Sequence, residues 1–136
     1  MIDLKLHHIG VATKSIEMEL PFFENLGYKR VSEVFVDEGQ KIKGLFIAAE
    51  NQPTLELLEN MTPDGPLTGC LAKGIKFYHF AYETHDIDKD AERIKQIGAM
   101  VIVPVVNAVY FDKVCFLMLK NMMMIELVQL RGKNDK

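Results

Sequence analysis

Residues 8–27 recur 71 positions further along the chain as residues 79–98, without a gap. His8 falls on His79, Ile16 on Ile87, Leu20 on Ala91, Phe23 on Ile94, Leu26 on Ile97 and Gly27 on Gly98. Two acids match as well, Glu17 with Asp88 and Glu19 with Asp90. With the offset reduced to 70, Phe46 falls on Phe116, Leu55 on Ile125, Glu56 on Glu126 and Leu57 on Leu127. A chain made of two copies of one unit must bury the same faces twice, so whatever fold is deduced for one half has to suit the other.

Within each copy the periods change in the same order. Leu6, His8, Gly10 and Ala12 alternate with other residues as in a strand, and so do Phe77, His79, Ala81 and Glu83. Ile16, Leu20 and Phe23, like Ile87, Ala91 and Ile94, are spaced i, i+4, i+7 and predict one apolar face of a helix. Gly27 and Gly98 then stand where a helix ends on a positive φ. Pro21 removes a donor inside the first helix and is expected to kink it or delay its start. Strands are expected over 28–37, 42–49 and 54–59, and again over 99–105, 113–119 and 122–130. The order is strand, helix, three strands, twice: an α+β chain of two βαβββ modules, expected to form one domain over 1–136 with repeats at 4–60 and 76–130. The segment 60–76 between them is rich in Pro and Gly, with a short helix expected near 66–72, and residues 131–136 read as a polar, frayed tail.

Composition removes several functional classes. The net charge is −3, with both signs spread along the chain and no basic cluster interleaved with aromatics, so a nucleic-acid partner is not expected. Apolar runs such as residues 122–128 are interrupted by a carboxylate and fall short of the roughly 20 residues a membrane span needs. Residues 1–5 carry no secretory signal pattern, and Cys70 and Cys115 lack metal-motif spacing, so two reduced, packed thiols in a cytoplasmic protein are expected.

Glu56 lies between Leu55 and Leu57, and Glu126 between Ile125 and Leu127, each inside a final strand. An ionised group in such surroundings is normally paired, metal-bound or protonated. Duplicated units tend to assemble about a pseudo-twofold axis, which would bring His8, Glu56, His79 and Glu126 toward a common centre. Imidazole nitrogen together with carboxylate oxygen suits a divalent ion such as Co, Ni, Zn, Mn or Fe rather than a thiolate zinc site. Four protein ligands on an octahedral ion leave two positions open, as a catalytic metal requires. Gly10 and Ala81, two residues along from each histidine, are small enough to leave space above the ion. His7 has the opposite strand parity and His85 falls at a strand end, so both are read as structural or solvent-facing. Met122, Met123 and Met124 are read as core and dimer-surface packing, and Glu17, Glu19, Asp88 and Asp90 as solvated helix faces.

The duplicated unit with one metal-capable residue at each end resembles the vicinal oxygen chelate superfamily, which includes glyoxalases, bleomycin resistance proteins and dioxygenases, over nearly the whole chain. Residues 6–17 (LHHIGVATKSIE), 53–60 (PTLELLEN), 65–88 (GPLTGCLAKGIKFYHFAYETHDID) and 124–130 (MIELVQL) look most like methylmalonyl-CoA epimerases. The resemblance implies an open, eight-stranded mixed barrel around one divalent metal (Co, Ni, Zn or Mn) held by His8, Glu56, His79 and Glu126. It also implies proton abstraction next to a carbonyl polarised by that metal, with Glu126 and Glu38 as the acid and base, an acyl-thioester or thiohemiacetal substrate, and a homodimer. Glyoxalase I, the relative with the same ligand set, usually has an Arg where Ala12 and Thr13 stand here, although Asn60 sits where that family can place a glutathione contact. Val106, Asn107, Ala108 and Val109 replace the Gly-Ala-His-Gly usual in the epimerases. With only Arg30, Arg93 and Arg131 in the chain and no phosphate-cradling glycine loop, coenzyme A would rest on lysines such as Lys41, Lys43 and Lys73. The resemblance leaves a third class open, an antibiotic-sequestering protein without catalysis, while the fourth ligand Glu56 argues against an extradiol dioxygenase.

Overall fold

The computed structural model describes residues 2–132, and residues 133–136 of the expected tail lie outside the described residues. The first module comprises β1 (Lys5–Thr13), α1 (Ile16–Glu24), β2 (Lys29–Arg30), β3 (Phe35–Asp37), β4 (Ile42–Ala48) and β5 (Leu55–Asn60), followed by the short helix α2 (Thr68–Ala72). The second comprises β6 (Phe77–Thr84), α3 (Ile87–Gln96), β7 (Met100–Asn107), β8 (Lys113–Met118) and β9 (Met124–Gln129). The chain is thus α+β, with strand, helix and further strands in the same order twice. By compactness it divides into His8–Tyr78 and a second unit that joins the residues before His8 to those from His79 onward. Accordingly Ile2 and Leu4 pack against the core of the second module.

In each module the last strand enters the middle of the ladder. Strand order is β2-β4-β5-β1 in the first, with β3 also paired to β4, and β6-β9-β8-β7 in the second. β5 runs parallel to β1 and antiparallel to β4. β9 likewise runs parallel to β6 and antiparallel to β8. Side chains on these strands alternate between two faces. Leu55 and Leu57 of β5 turn to α1, where they meet Ile16 and Leu20. Ile125 and Leu127 of β9 turn to α3 and meet Ile87, Ala91 and Ile94. By the same alternation Glu56 and Glu126 lie on the face away from the helices.

Both helices are started by the same device. Ser15 Oγ accepts from Met18 N at 3.2 Å, and Asp86 Oδ1 accepts from Lys89 N at 3.2 Å. A second acceptor comes from the end of the central strand: Glu59 Oε1 takes the Ile16 N–H at 2.8 Å, and Gln129 Oε1 takes the Ile87 N–H at 2.9 Å. Two of the first-turn donors that a helix leaves unsatisfied are thereby bonded in each module, and the helix is tied to its sheet. α1 runs through Pro21, which is exposed and forfeits the bond to the Glu17 carbonyl. Gly27 and Gly98 follow the helices with φ of 100° and 103°, as the repeat predicts.

The strand expected over 28–37 is instead two short ones. Arg30 pairs with Ile47 and Phe35 with Gly44, so four residues of one strand face two of the other. The Phe46 N–H donates to Ser32 Oγ at 2.9 Å, where a continuous ladder would offer a backbone carbonyl. This break gives nine strands among the described residues where eight were expected.

Other sequence expectations also resolve here. Met122 is 75% exposed in a turn with φ 71°, so it is not part of the core, while Met123 is half-buried against the second core. Arg131 is tied down, its guanidinium donating to the carbonyls of Ala108 at 3.2 Å and Val109 at 2.6 Å, so the tail is anchored at its start. Glu19 pairs with Lys76 at 2.7 Å, and Asp90 accepts from the Thr84 hydroxyl, so neither is only a solvated charge. Among the described residues no helix is long and apolar enough to cross a membrane.

Cys70 and Cys115 are both free thiols. Burial pushes the Cys115 thiol up to about 12, well above its ordinary value. Cys70 is half-buried on α2. Alkylation of the folded protein at pH 8, read by mass spectrometry, is expected to label Cys70 and leave Cys115 unmodified, because only the thiolate reacts. Equal labelling of the two would contradict the packing of β8.

Candidate functional site

The strand register brings one histidine to one glutamate in each module. Gly10 of β1 lies across from Glu56 of β5, and His8 is two residues back on the same face. Ala81 of β6 lies across from Glu126 of β9, and His79 is again two residues back. The small residue opposite each glutamate lets the carboxylate lean along the strand toward the imidazole. His8 Nε2 lies 3.0 Å from Glu56 Oε1, and His79 Nε2 lies 3.0 Å from Glu126 Oε1. All four side chains are buried, with exposures of 0% for His8, 6% for Glu56, 4% for His79 and 3% for Glu126.

A third residue completes each arrangement. Phe46 of β4 is the cross-strand partner of Glu56, and Phe116 of β8 is that of Glu126. Their rings stand perpendicular to the imidazoles: His8 and Phe46 have centroids 5.0 Å apart at 81°, His79 and Phe116 5.2 Å apart at 85°. Each glutamate is therefore flanked by a histidine strand on one side and a phenylalanine strand on the other.

Each side chain offers one ligand atom, an imidazole nitrogen or a carboxylate oxygen. That donor set fits a hard or borderline divalent ion. The 3.0 Å separation in both modules is short enough for the two atoms to be neighbouring ligands of one ion, and it also suits a charge-assisted hydrogen bond. Removing one partner of such a buried pair leaves an uncompensated group, a loss on the order of 3–5 kcal/mol.

The remaining candidates stand outside these two pairs. Glu38 is exposed in the turn after β3, whereas its neighbour Asp37 is 4% exposed. The Asp37 carboxylate accepts from Gln40 N at 3.1 Å and from Gln40 Nε2 at 2.8 Å, so Asp37 is the buried acid of this turn. The sequence signal for it was present in the Asp-Glu-Gly-Gln order of a side-chain-capped turn. Asn60 is committed to the loop before α2: its Oδ1 accepts from Leu67 N at 3.0 Å and its Nδ2 donates to Thr68 Oγ1 at 3.2 Å. His7 packs edge-to-face on Phe111 with centroids 5.1 Å apart, and His85 is exposed. Of the lysines, Lys43 lies 3.8 Å from Glu59, and Lys41 and Lys73 are exposed.

A family model described as Glyoxalase/Bleomycin resistance protein/Dioxygenase superfamily matches residues 7–116. No curated protein matches the sequence. Among solved structures, a hypothetical protein from Bacillus halodurans C-125 aligns with a TM-score of 0.84 at 25% identity, over 97% of this chain and 98% of that one. A variant of Streptomyces coelicolor methylmalonyl-CoA epimerase in complex with 2-nitronate-propionyl-CoA aligns with a TM-score of 0.80 at 25% identity, over 96% of this chain and 100% of that one. The methylmalonyl-CoA epimerase of Mycobacterium tuberculosis shares the fold with a TM-score of 0.82 at 18% identity, over 98% and 95% of the two chains.

Proposed function

Because the chain belongs to the glyoxalase/bleomycin resistance protein/dioxygenase superfamily, we propose that it is a metal-dependent isomerase that abstracts a proton next to a carbonyl, with epimerisation of an acyl-CoA of the methylmalonyl type as its reaction. The observation that carries this reading is the repeated buried pair, an imidazole and a carboxylate 3.0 Å apart at equivalent places in both modules. In this reading residues 1–136 act as one domain, an open barrel in which His8, Glu56, His79 and Glu126 hold a single Co, Ni, Zn or Mn ion. Such an ion, when bound, is a Lewis acid that polarises a substrate carbonyl and acidifies the adjacent C–H.

The chain's own residues supply the rest. Glu126 accepts the proton on a carboxylate oxygen, and Glu38 serves the opposite face of the substrate from the turn after β3. Inversion of a stereocentre needs an acid and a base on opposite faces, whereas isomerisation of an aldehyde adduct can run on one base. The lactoylglutathione lyase alternative, acting on a glutathione hemithioacetal, is the weaker one because both ends of the Asn60 amide are engaged in the fold. The functional unit in this reading is a cytoplasmic homodimer acting on an acyl thioester.

Exchange of the C2 proton of methylmalonyl-CoA in deuterated buffer tests the proposal, with the methylglyoxal–glutathione adduct and a bleomycin-type drug as comparisons. Metal-dependent exchange at C2 is expected. Turnover of the glutathione adduct alone would move the assignment to the lyase. Absence of both activities, with tight binding of the drug, would replace catalysis by sequestration.

A further inference from the structure

A histidine side chain is well defined at its first torsion and loosely defined at its second, so neither its rotamer nor its backbone fixes the plane in which Nε2 presents its lone pair. In this chain an aromatic ring meets each imidazole edge-to-face. Phe46 stands at 81° to His8 and Phe116 at 85° to His79, with centroids 5.0 Å and 5.2 Å away. Both rings are buried, and both are placed by register, each on the strand antiparallel to the glutamate that reaches the same histidine. In the first module the ring is itself backed by Phe35, stacked on Phe46 at 5.8 Å and 18°. Phe35 occupies the space over Gly44, where a Cβ would collide with its ring. Phe46 and Phe116 are equivalent in the repeat, so the same device has been built twice.

Resting on the reading of the four residues as ligands, we infer that Phe46 and Phe116 are positioning residues that hold the planes of the two metal-binding imidazoles, and so set metal affinity and ligand geometry. An edge-to-face contact constrains ring rotation, while an aliphatic side chain of similar volume fills the space without defining a plane. Hydrogen-bonded neighbours that orient a ligating histidine change metal affinity by about 10–100-fold when they are lost, and a ring that fixes the imidazole plane acts on the same property.

The test uses Co(II) added to the metal-free full-length chain, with affinity read by titration, geometry by the visible d–d spectrum, and fold by the thermal midpoint without metal. Phe46→Leu and Phe116→Leu are each expected to weaken Co(II) binding by about tenfold or more and to alter the spectrum. Phe46→Tyr and Phe116→Tyr keep the ring and are expected to bind within about threefold of the parent with its spectrum. If a leucine variant does not fold, the Met variant at the same position carries the same comparison. Leucine variants that lower the metal-free midpoint yet bind Co(II) with the parent's affinity and spectrum overturn the inference and leave the metal reading standing. A parent chain that binds no Co(II) overturns both.

Discussion

Glu126→Gln is expected to lower turnover by about 10²–10⁴-fold, the usual contribution of a positioned acid or base, and added metal is not expected to restore it. The substitution keeps the shape of the side chain and removes its charge and its ability to take a proton. Because Glu126 is 3% exposed and lies 3.0 Å from His79 Nε2, the variant loses a ligand as well as a base. Glu56→Gln makes the same change in the other module, 3.0 Å from His8 Nε2. It too is expected to abolish turnover at ordinary metal concentrations, with affinity for the ion lowered. Here, however, excess metal is expected to recover part of the rate, since Glu56 holds the ion without accepting the proton. Steady-state rates against metal concentration separate the two roles. Full activity in either variant would remove the assignment.

Leu57→Ala and Leu127→Ala are each expected to cost about 2–5 kcal/mol of stability, read from urea unfolding. Both leucines are 0% exposed and occupy the same place in the two modules, Leu57 under Ile16 and Leu20, Leu127 under Ile87, Ala91 and Ile94. Truncation leaves a cavity between central strand and helix in either case. Met122→Ala, in an exposed turn, is expected to change stability by no more than about 0.5 kcal/mol. A loss below about 1 kcal/mol at one leucine and a full loss at the other would show that the modules do not share the burden of the fold as their repeat implies.

The residues that carried the most information in the sequence were those constrained twice. The helix faces at Ile16, Leu20, Ile87, Ala91 and Ile94 appeared as the i, i+4, i+7 spacing predicts. The pairing of His8 with Glu56 and of His79 with Glu126 follows from strand parity and the central insertion of β5 and β9. Parity was legible, whereas the insertion depends on long-range register that no local pattern encodes. The break between β2 and β3 carries no local sequence signal, since its mark is a single hydroxyl, Ser32, that takes the Phe46 N–H in place of a ladder carbonyl. Glu59 and Gln129 match at the second offset, yet their helix-capping role needs the strand end to lie under the helix start, a tertiary fact. Asp37 and Glu38 stand side by side in the sequence, and only the turn geometry separates the buried acid from the exposed one. Phe46 and Phe116 are visible in the sequence as a repeat pair, whereas their relation to the histidines depends on strand register.

If two histidines and two glutamates hold one ion, the metal content of the purified chain reports it. After incubation with Co, Ni, Zn and Mn salts and exhaustive dialysis, elemental analysis is expected to find one divalent ion per chain, lost on His8→Ala and on His79→Ala alike. A folded chain that retains no ion from any of the four salts, or that keeps its ion when both histidines are replaced, would mean that these four residues are not a metal site.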